Sequence, residues 1–275
     1  MKLQNELKNI ARVWNLELEG EPKYSATGFI VFASQDGIPC VLKLFANESD
    51  EKLSALALSH YQGCGAVKVL QISANALLLE RAIPGTHLKS LSLEGKDDEA
   101  THIFCDIVKK LHSRNQILDG FPTIADFWGK GFDRYLHSGD TRIATPLAQK
   151  AKQMFFELAG SQDKQVLLHG DLHHDNILLD KKRGWLAIDP KGVIGEAEIE
   201  VSAFLKNPIG HPEIYADEKI IRNRITAISK NLNLNQERIL HWSFALTVLS
   251  AIWLVETGES PEDWLVLAEK LQEIA

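Results

Sequence analysis

An α+β fold in two lobes, a small β-rich N-terminal lobe followed by a larger helical C-terminal lobe, follows from three features of the sequence. Apolar runs of strand length crowd the region before residue 80. The segment Glu80-Arg81-Ala82-Ile83-Pro84-Gly85 then breaks every periodicity, because proline and glycine stop both helix and strand. Beyond it, apolar residues recur mostly at helical spacing. This divides the chain into an N-terminal lobe over 1–80, a linker over 81–85 and a helical lobe over 86–275. At roughly 150 residues per domain, 275 residues suit such a pair of units, with enough chain to bury a substantial core.

Taken in order, Leu16 and Leu18 alternate with Glu17 and Glu19 as in a half-buried strand, and the chain breaks at Ser25-Ala26-Thr27-Gly28. Phe29 to Ala33 and Cys40 to Phe45 flank an Asp36-Gly37 pair, a hairpin signal. Residues 48–61 turn helical, with Leu53, Leu56, Ala57 and His60 expected on the buried face, and strands return at 67–72 and 76–79. In the second lobe helices are expected over 97–111, over 123–137 after Pro122, and over 146–159. A strand at 166–168 and a hairpin of 177–179 with 186–188 interrupt them, placed here in one small sheet. Helices follow over 217–232, 236–256 and 261–274. No repeat or low-complexity segment is present.

Composition narrows the function classes. Apolar residues make up 45% and charged residues 24%, as in soluble globular proteins. With 30 basic against 37 acidic residues the net charge is −7, which argues against a general nucleic-acid binder. Cys40, Cys64 and Cys105 form no CxxC pair, so they read as reduced thiols of a cytoplasmic protein. The first ten residues carry Lys2, Glu6 and Lys8 and no apolar run, so no signal peptide begins there. The stretch 239–255 rises only about 25 Å as a helix, short of a span. His241, Ser243, Thr247 and Ser250 interrupt it, so it reads as a core helix of a soluble protein with no membrane partner.

The densest chemistry is Leu168-His169-Gly170-Asp171-Leu172-His173-His174-Asp175-Asn176-Ile177, followed by Ile188-Asp189-Pro190-Lys191-Gly192. An apolar strand runs into a polar loop holding Asp171 and Asn176, and a hairpin brings Asp189 back toward it. Phosphoryl transfer requires such a set: one carboxylate facing the acceptor hydroxyl, and two oxygen ligands holding Mg²⁺ against phosphates. His173 and His174 beside Asp171 and Asp175 suggest a transition-metal hydrolase instead, but no HxxxH or HExxH spacing supports it.

The run His-Gly-Asp-x-x-x-x-Asn with the later Ile-Asp-Pro-Lys-Gly resembles the antibiotic kinases, the aminoglycoside phosphotransferases of the protein-kinase-like fold. More narrowly it resembles their streptomycin and hydroxyurea phosphotransferase branch. Supporting segments are Val41-Leu42-Lys43-Leu44, Gly63-Cys64-Gly65-Ala66-Val67, Leu77-Leu78-Leu79-Glu80-Arg81, Pro84-Gly85-Thr86-His87-Leu88, Leu111-His112, the stretch from Glu200 to Pro208, and Trp253-Leu254-Val255-Glu256. Together they run from about residue 13 to residue 258. The resemblance implies an ATP-dependent, Mg²⁺-requiring kinase for a small hydroxylated and in some cases cationic acceptor. An aminoglycoside such as streptomycin leads; hydroxyurea, an ordinary metabolite and a catalytically silent nucleotide-binding relative are the alternatives. A protein kinase is disfavoured, because the loop reads His-Gly-Asp and no Ala-Pro-Glu segment occurs.

By the same resemblance Asp171 takes the acceptor's proton, Asn176 and Asp189 bind Mg²⁺, and Lys43 contacts the α and β phosphates. The Ser25–Gly28 turn, with Ser25, Thr27 and Gly28, covers the phosphates. The backbone of Glu80 to Ala82 meets the adenine edge. His169 supports the loop, and Glu200 is a structural tie from a helix start. One departure is evident: the helix position that carries the lysine's glutamate partner in this family is Ser54. Glu51, one turn earlier, is favoured as the partner over Glu48. Protein kinases also place a lysine two residues after the catalytic aspartate, where this chain has His173. Lys191 follows Asp189 by two residues and is expected to supply the missing charge, the competing reading being a surface pair with Glu196 or Glu198. Trp242 and Trp253 read mainly as core, the alternative being that one of them lines the acceptor cleft, and whether Glu196 or Glu198 faces a cationic acceptor is left open.

Overall fold

Alternation of apolar side chains builds the first lobe. A computed structural model describes residues 2–25, 28–45, 48–114 and 119–274, with no side-chain description for 2–4, 25 and 48–50. A helix that the periodicity did not signal, α1 (Lys2–Val13), leads into β1 (Leu16–Ser25), β2 (Gly28–Gln35) and β3 (Ile38–Phe45). Next come α2 (Glu48–Tyr61), β4 (Val69–Ile72) and β5 (Ala76–Glu80), and the strands form one antiparallel sheet in the order β1-β2-β3-β5-β4. Phe29, Val31 and Ala33 of β2 and Cys40, Leu42 and Leu44 of β3 pack on one face with Leu7 of α1. Strand side chains alternate between faces, so Lys43, between Leu42 and Leu44, is carried to the other face, toward α2. The Asp36-Gly37 turn has φ of 51° and 77°, which matches the right-handed twist of the strands it joins.

Helix α2 buries a different face from the one expected. Glu51, Ser54, Ala55, Ala57, Leu58 and Tyr61 are buried, whereas Leu56 is 44% exposed. Only Ala57 of the expected set lies in the core. Small residues bring this face close to the lobe while it carries a carboxylate inward to Lys43, and that pairing outweighs burial of one leucine. The strand expected from residue 67 starts at Val69, because the Val67 N–H donates to the Ala187 carbonyl of the second lobe at 3.0 Å.

The linker does not end regular structure as its proline and glycine suggested. Strand β6 (Pro84–His87) follows at once, then α3 (Lys89–Leu93), α4 (Asp97–His112), α5 (Ile124–Phe127), α6 (Lys130–Ser138) and α7 (Thr145–Gly160). The single helix expected over 123–137 is broken at Trp128-Gly129. A Cβ at Gly129 would stand 2.7 Å from the Phe156 ring of α7, so glycine there permits the close approach. Then come β7 (Val166–Leu168), β8 (Ile177–Asp180), β9 (Gly184–Ala187) and β10 (Val193–Gly195). The expected single small sheet is in fact two: β7 pairs with β10, while β8 and β9 join β6 in the order β6-β8-β9. Helices α8 (Glu200–Leu205), α9 (Pro212–Tyr215), α10 (Glu218–Leu232), α11 (Gln236–Thr257) and α12 (Glu262–Ile274) complete the lobe. Helix α11 is long and apolar enough to cross a membrane, but its buried residues include Trp242, Phe244, Val248 and Ile252, and it is the central core helix.

The linker is tied to the β8–β9 turn. Asp180 Oδ2 accepts the Ile83 N–H at 3.0 Å, and the Lys181 N–H donates to the Ile83 carbonyl at 2.8 Å. Arg183 pairs with the Glu80 carboxylate and donates to the Gly63 carbonyl, and to that of Ala66 at 3.2 Å. Deeper in the lobe, buried Arg224 of α10 donates to both oxygens of Asp97 at 2.9 and 2.6 Å, and to the Asn207 carbonyl at 2.7 Å. Its guanidinium lies 4.8 Å from the Phe204 ring, on which His174 stacks at 4.3 Å. Burial alone would raise the Asp97 carboxyl, but the Arg224 guanidinium outweighs it and holds it below the usual carboxylate range. A carboxyl lowered on folding stabilises above its unfolded value and loses that contribution as pH falls through the folded one. Arg224→Met, which leaves Asp97 without its guanidinium, is therefore expected to cost about 3 kcal/mol in urea unfolding at pH 7. The gap between wild type and variant should narrow below about pH 4. A gap that is constant from pH 7 to pH 3 would refute this account.

Candidate active site

The polar loop after β7 is hung from its own backbone. Gly170 has φ of 79°, a left-handed turn that directs Asp171 out of the strand. Glu200, at the start of α8, accepts the N–H of His169 at 2.5 Å and that of Gly170 at 3.1 Å. The Asp171 N–H donates to His169 Nδ1 at 3.2 Å, so Nε2 carries the ring proton and donates to the Ile188 carbonyl at 2.8 Å. Burial lowers the His169 pKa, consistent with that neutral ring. The Asp171 carbonyl accepts both Asn176 Nδ2 and the His173 N–H, each at 2.9 Å. Asp171 and Asn176 are thereby fixed relative to each other by bonds that do not use the Asp171 carboxylate.

A charge cluster joins β3, α2 and the segment after β9, with Lys43 and Glu51 buried and the Asp189 side chain about half exposed. Lys43 Nζ is 2.8 Å from Glu51 Oε2 and 2.5 Å from Asp189 Oδ1. Burial alone would lower the Lys43 ammonium, but the Asp189 and Glu51 carboxylates outweigh it and raise its pKa. Asp189 is likewise pushed up by burial and held down more strongly by Lys43. Its backbone has φ of 61°, a left-handed conformation that aspartate tolerates better than most residues. The Ile188 N–H donates to the Asn176 carbonyl at 2.9 Å, so Asn176 and Asp189 are neighbours across the hairpin. Both offer hard oxygen donors, a set suited to a cation that takes its remaining ligands from phosphate and water. Among the described residues no group of three or more His, Cys, Asp or Glu is placed to hold a metal.

The remaining residues expected on the nucleotide side divide. Glu80 and Ala82 lie at the linker, where the Glu80 carboxylate is taken by Arg183 and by the Lys68 N–H at 3.0 Å. Gly28 pairs with Ser25 across the β1–β2 hairpin, and a Cβ on it would fall 1.8 Å from the Leu44 carbonyl oxygen, so only glycine fits. Thr27, with Ala26, lies outside the described residues, as does the side chain of Ser25.

Asp171 lines a cavity of about 610 Å³ together with Trp128, Lys191, Lys206, Ser250 and Trp253. Lys191 Nζ lies 3.6 Å from Asp171 Oδ2, rather than beside Glu196 or Glu198. His173 Nε2 lies 3.8 Å from Asp171 Oδ1, and burial keeps that ring below its ordinary pKa. Glu196 does not face the cavity: it pairs with Arg238 at 2.8 Å and accepts from the fully buried Trp242, while Glu198 accepts the Asn235 N–H. Trp253, expected in the core, lines the cavity edge-on to Trp128. Lys206, Ser250 and Trp128 escaped the sequence reading. The available signal was a lysine directly after the apolar Val201–Leu205 run, and a serine on the most apolar helix.

A sequence model described as aminoglycoside/hydroxyurea antibiotic resistance kinase matches residues 13–258. The streptomycin 3''-kinase of Klebsiella pneumoniae is 32% identical, over 89% of this chain and 91% of that protein. The hydroxyurea phosphotransferase of Kitasatospora aureofaciens is 26% identical, over 94% and 75%. Among solved structures, an aminoglycoside phosphotransferase APH(4)-Ia in a ternary complex with ADP and hygromycin B superposes with a TM-score of 0.66 at 12% identity, over 96% and 97% of the two chains. The likeness to that structure shows a protein-kinase-like fold, and the match along nearly the whole sequence shows that the chain belongs to the aminoglycoside/hydroxyurea antibiotic resistance kinase family.

Proposed function

We propose that this enzyme transfers the γ-phosphate of ATP to a hydroxyl of a small molecule, with residues 1–80 as the nucleotide lobe, 81–85 as the linker and 86–275 carrying the catalytic loop and the acceptor site. One observation carries the reading: Asp171 lines a cavity, its carbonyl holds the Asn176 side chain, and the hairpin after Asn176 returns Asp189 to Lys43. In that arrangement the acceptor oxygen attacks the γ-phosphorus as the bond to the β-γ bridging oxygen breaks, and Asp171 takes the hydroxyl proton. Lys43, held by Glu51, meets the α and β phosphates. Asn176 and Asp189 would hold Mg²⁺, which offsets phosphate charge when bound. The linker backbone from Glu80 to Ala82 and the hairpin turn carrying Ser25, Thr27 and Gly28 complete the nucleotide site. Because the donor is cytosolic and the most apolar helix is core, the reading is of a soluble cytoplasmic enzyme.

An aminoglycoside such as streptomycin is the first acceptor to test. The relative that is 32% identical is named for it, and two indoles on the cavity wall suit guanidinium groups. A cavity of about 610 Å³ also suits a drug-sized acceptor better than hydroxyurea. Release of ADP that requires streptomycin, with a phosphorylated product in the mass spectrum, is the expected result.

The two acidic roles separate in mutants. Asp171→Asn should leave Mg²⁺-dependent nucleotide affinity intact while turnover falls about 10²- to 10⁴-fold. Asp189→Asn should weaken nucleotide binding itself. Equal loss of nucleotide affinity in both would refute this division.

Lys191 is assigned to the transferring phosphoryl group, a task suited to a flexible point charge beside Asp171. Lys191→Met should lower kcat roughly ten-fold, about 1.4 kcal/mol of barrier, with nucleotide affinity unchanged. Wild-type turnover in that variant would return Lys191 to the surface.

A further inference from the structure

Lys206 follows the last residue of α8 and reaches the acceptor cavity with an amine that has no ionic partner. Its Nζ donates to Ser250 Oγ at 2.5 Å, and Ser250 in turn donates to the Leu246 carbonyl at 2.9 Å. Among the described residues no carboxylate lies within ion-pair distance of it. An ammonium carries three donors, so two are left for whatever fills the cavity. Lys206 is partly buried, and a ligand oxygen set against a partly buried cation with unspent donors recovers part of its lost hydration. Asp171 and Lys206 line the same cavity, so a molecule filling it can meet a hydrogen-bond-accepting carboxylate and a hydrogen-bond-donating amine.

We propose that Lys206 is the acceptor-selecting residue: its amine donates to an oxygen substituent beside the hydroxyl that faces Asp171, and it excludes acceptors with an ammonium at that place. This deepens, and rests on, the phosphotransfer reading above. The acceptor class is a polyoxygenated ring with neighbouring oxygens at its reacting edge. Any cationic substituents point away from Lys206, toward the indoles of Trp128 and Trp253 and the exposed Glu259 at the rim. The oxygen is that of a neutral hydroxyl or of a carboxylate, and probes distinguish the two. Charged and titratable groups around Lys206 are Asp171, His173 and Lys191 across the cavity and Glu259 at its rim; α11 contributes only the neutral Ser250. Burial pushes the Lys206 ammonium down to about 8, with Asp171 pulling the other way. Affinity for the acceptor should therefore fall as pH rises through about 8 and the amine loses its charge.

The test is calorimetric binding to the full chain with Mg²⁺ and a non-hydrolysable ATP analogue, in wild type, Lys206→Met and Lys206→Arg. The probes are streptomycin, myo-inositol for neutral hydroxyls, quinate for a carboxylate beside a ring hydroxyl, and 2-deoxystreptamine for an ammonium beside a hydroxyl. Expected is at least a ten-fold loss of affinity in Lys206→Met for streptomycin and for myo-inositol or quinate. Lys206→Arg should stay within about three-fold of wild type. 2-Deoxystreptamine should bind no better to wild type than to Lys206→Met. Wild-type affinity for the oxygen-bearing probes should decline between pH 7 and pH 9, and the methionine variant should show no such decline. Unchanged affinity in Lys206→Met, the same pH profile in both proteins, or no probe bound by wild type would each overturn the assignment. Lys206-dependent binding with no phosphate transfer in a parallel assay with ATP would sink the phosphotransfer reading and, with it, the acceptor role, leaving Lys206 as a ligand-binding residue only.

Discussion

Lys43 is an ammonium that β-strand alternation carries to the face of the sheet opposite its apolar neighbours, where water scarcely reaches it. Such a charge is tolerable only when it is paired, and the chain supplies two partners from separate elements: Glu51 from α2 and Asp189 from the loop after β9. The pairing constrains the rest of the molecule. It turns α2 so that small residues, rather than Leu56, face inward. It also links the first lobe to the hairpin of the second across 146 positions of sequence. Removing either carboxylate would leave the lysine without half of its compensation, so the geometry of the cleft and the stability of the lobe contact are coupled.

The second lobe meets a different requirement, which is to hold a short loop still without a long sheet to anchor it. Strand β7 has only three residues, so the loop leans on side chains. Glu200 takes two backbone N–H groups, His169 bridges the Asp171 amide to the Ile188 carbonyl, and His174 stacks on Phe204 beside the Arg224–Asp97 pair. Glu200 and His169 satisfy loop amides that burial would otherwise leave unpaired, while the His174 stack adds ring packing from α8. The consequence for function is preorganisation: the Asp171 carboxylate is among the few groups of the loop left for an outside molecule.

The acceptor cavity follows from the helices rather than from the loop. Gly129 lets α7 press its Phe156 ring against the α5–α6 break, which sets Trp128 near Trp253 of α11. Glu196 is drawn inward by Arg238 and Trp242, which removes from the wall a carboxylate that the sequence made available to a cationic ligand. The cavity is therefore aromatic at its sides and basic beside Asp171.

Local residue patterns were enough for the two-lobed plan, the 36–37 hairpin and most helices of the second lobe, because periodicity and turn chemistry act over short range. The spacing of Asp171, Asn176 and Asp189 was legible for the same reason: one loop and one hairpin hold all three. Long-range pairing was not legible. Periodicity gave no reason to prefer β10 over the 177–188 hairpin as the partner of β7, since three-residue apolar strands look alike and only tertiary contacts choose between them. It also missed the buried face of α2, which is set by a lysine on another strand. The identity of the groups lining the cavity was decided last of all. Whether Lys206, Ser250, Trp253 or Glu196 reaches it depends on how three separate segments pack, and no single segment carries that information.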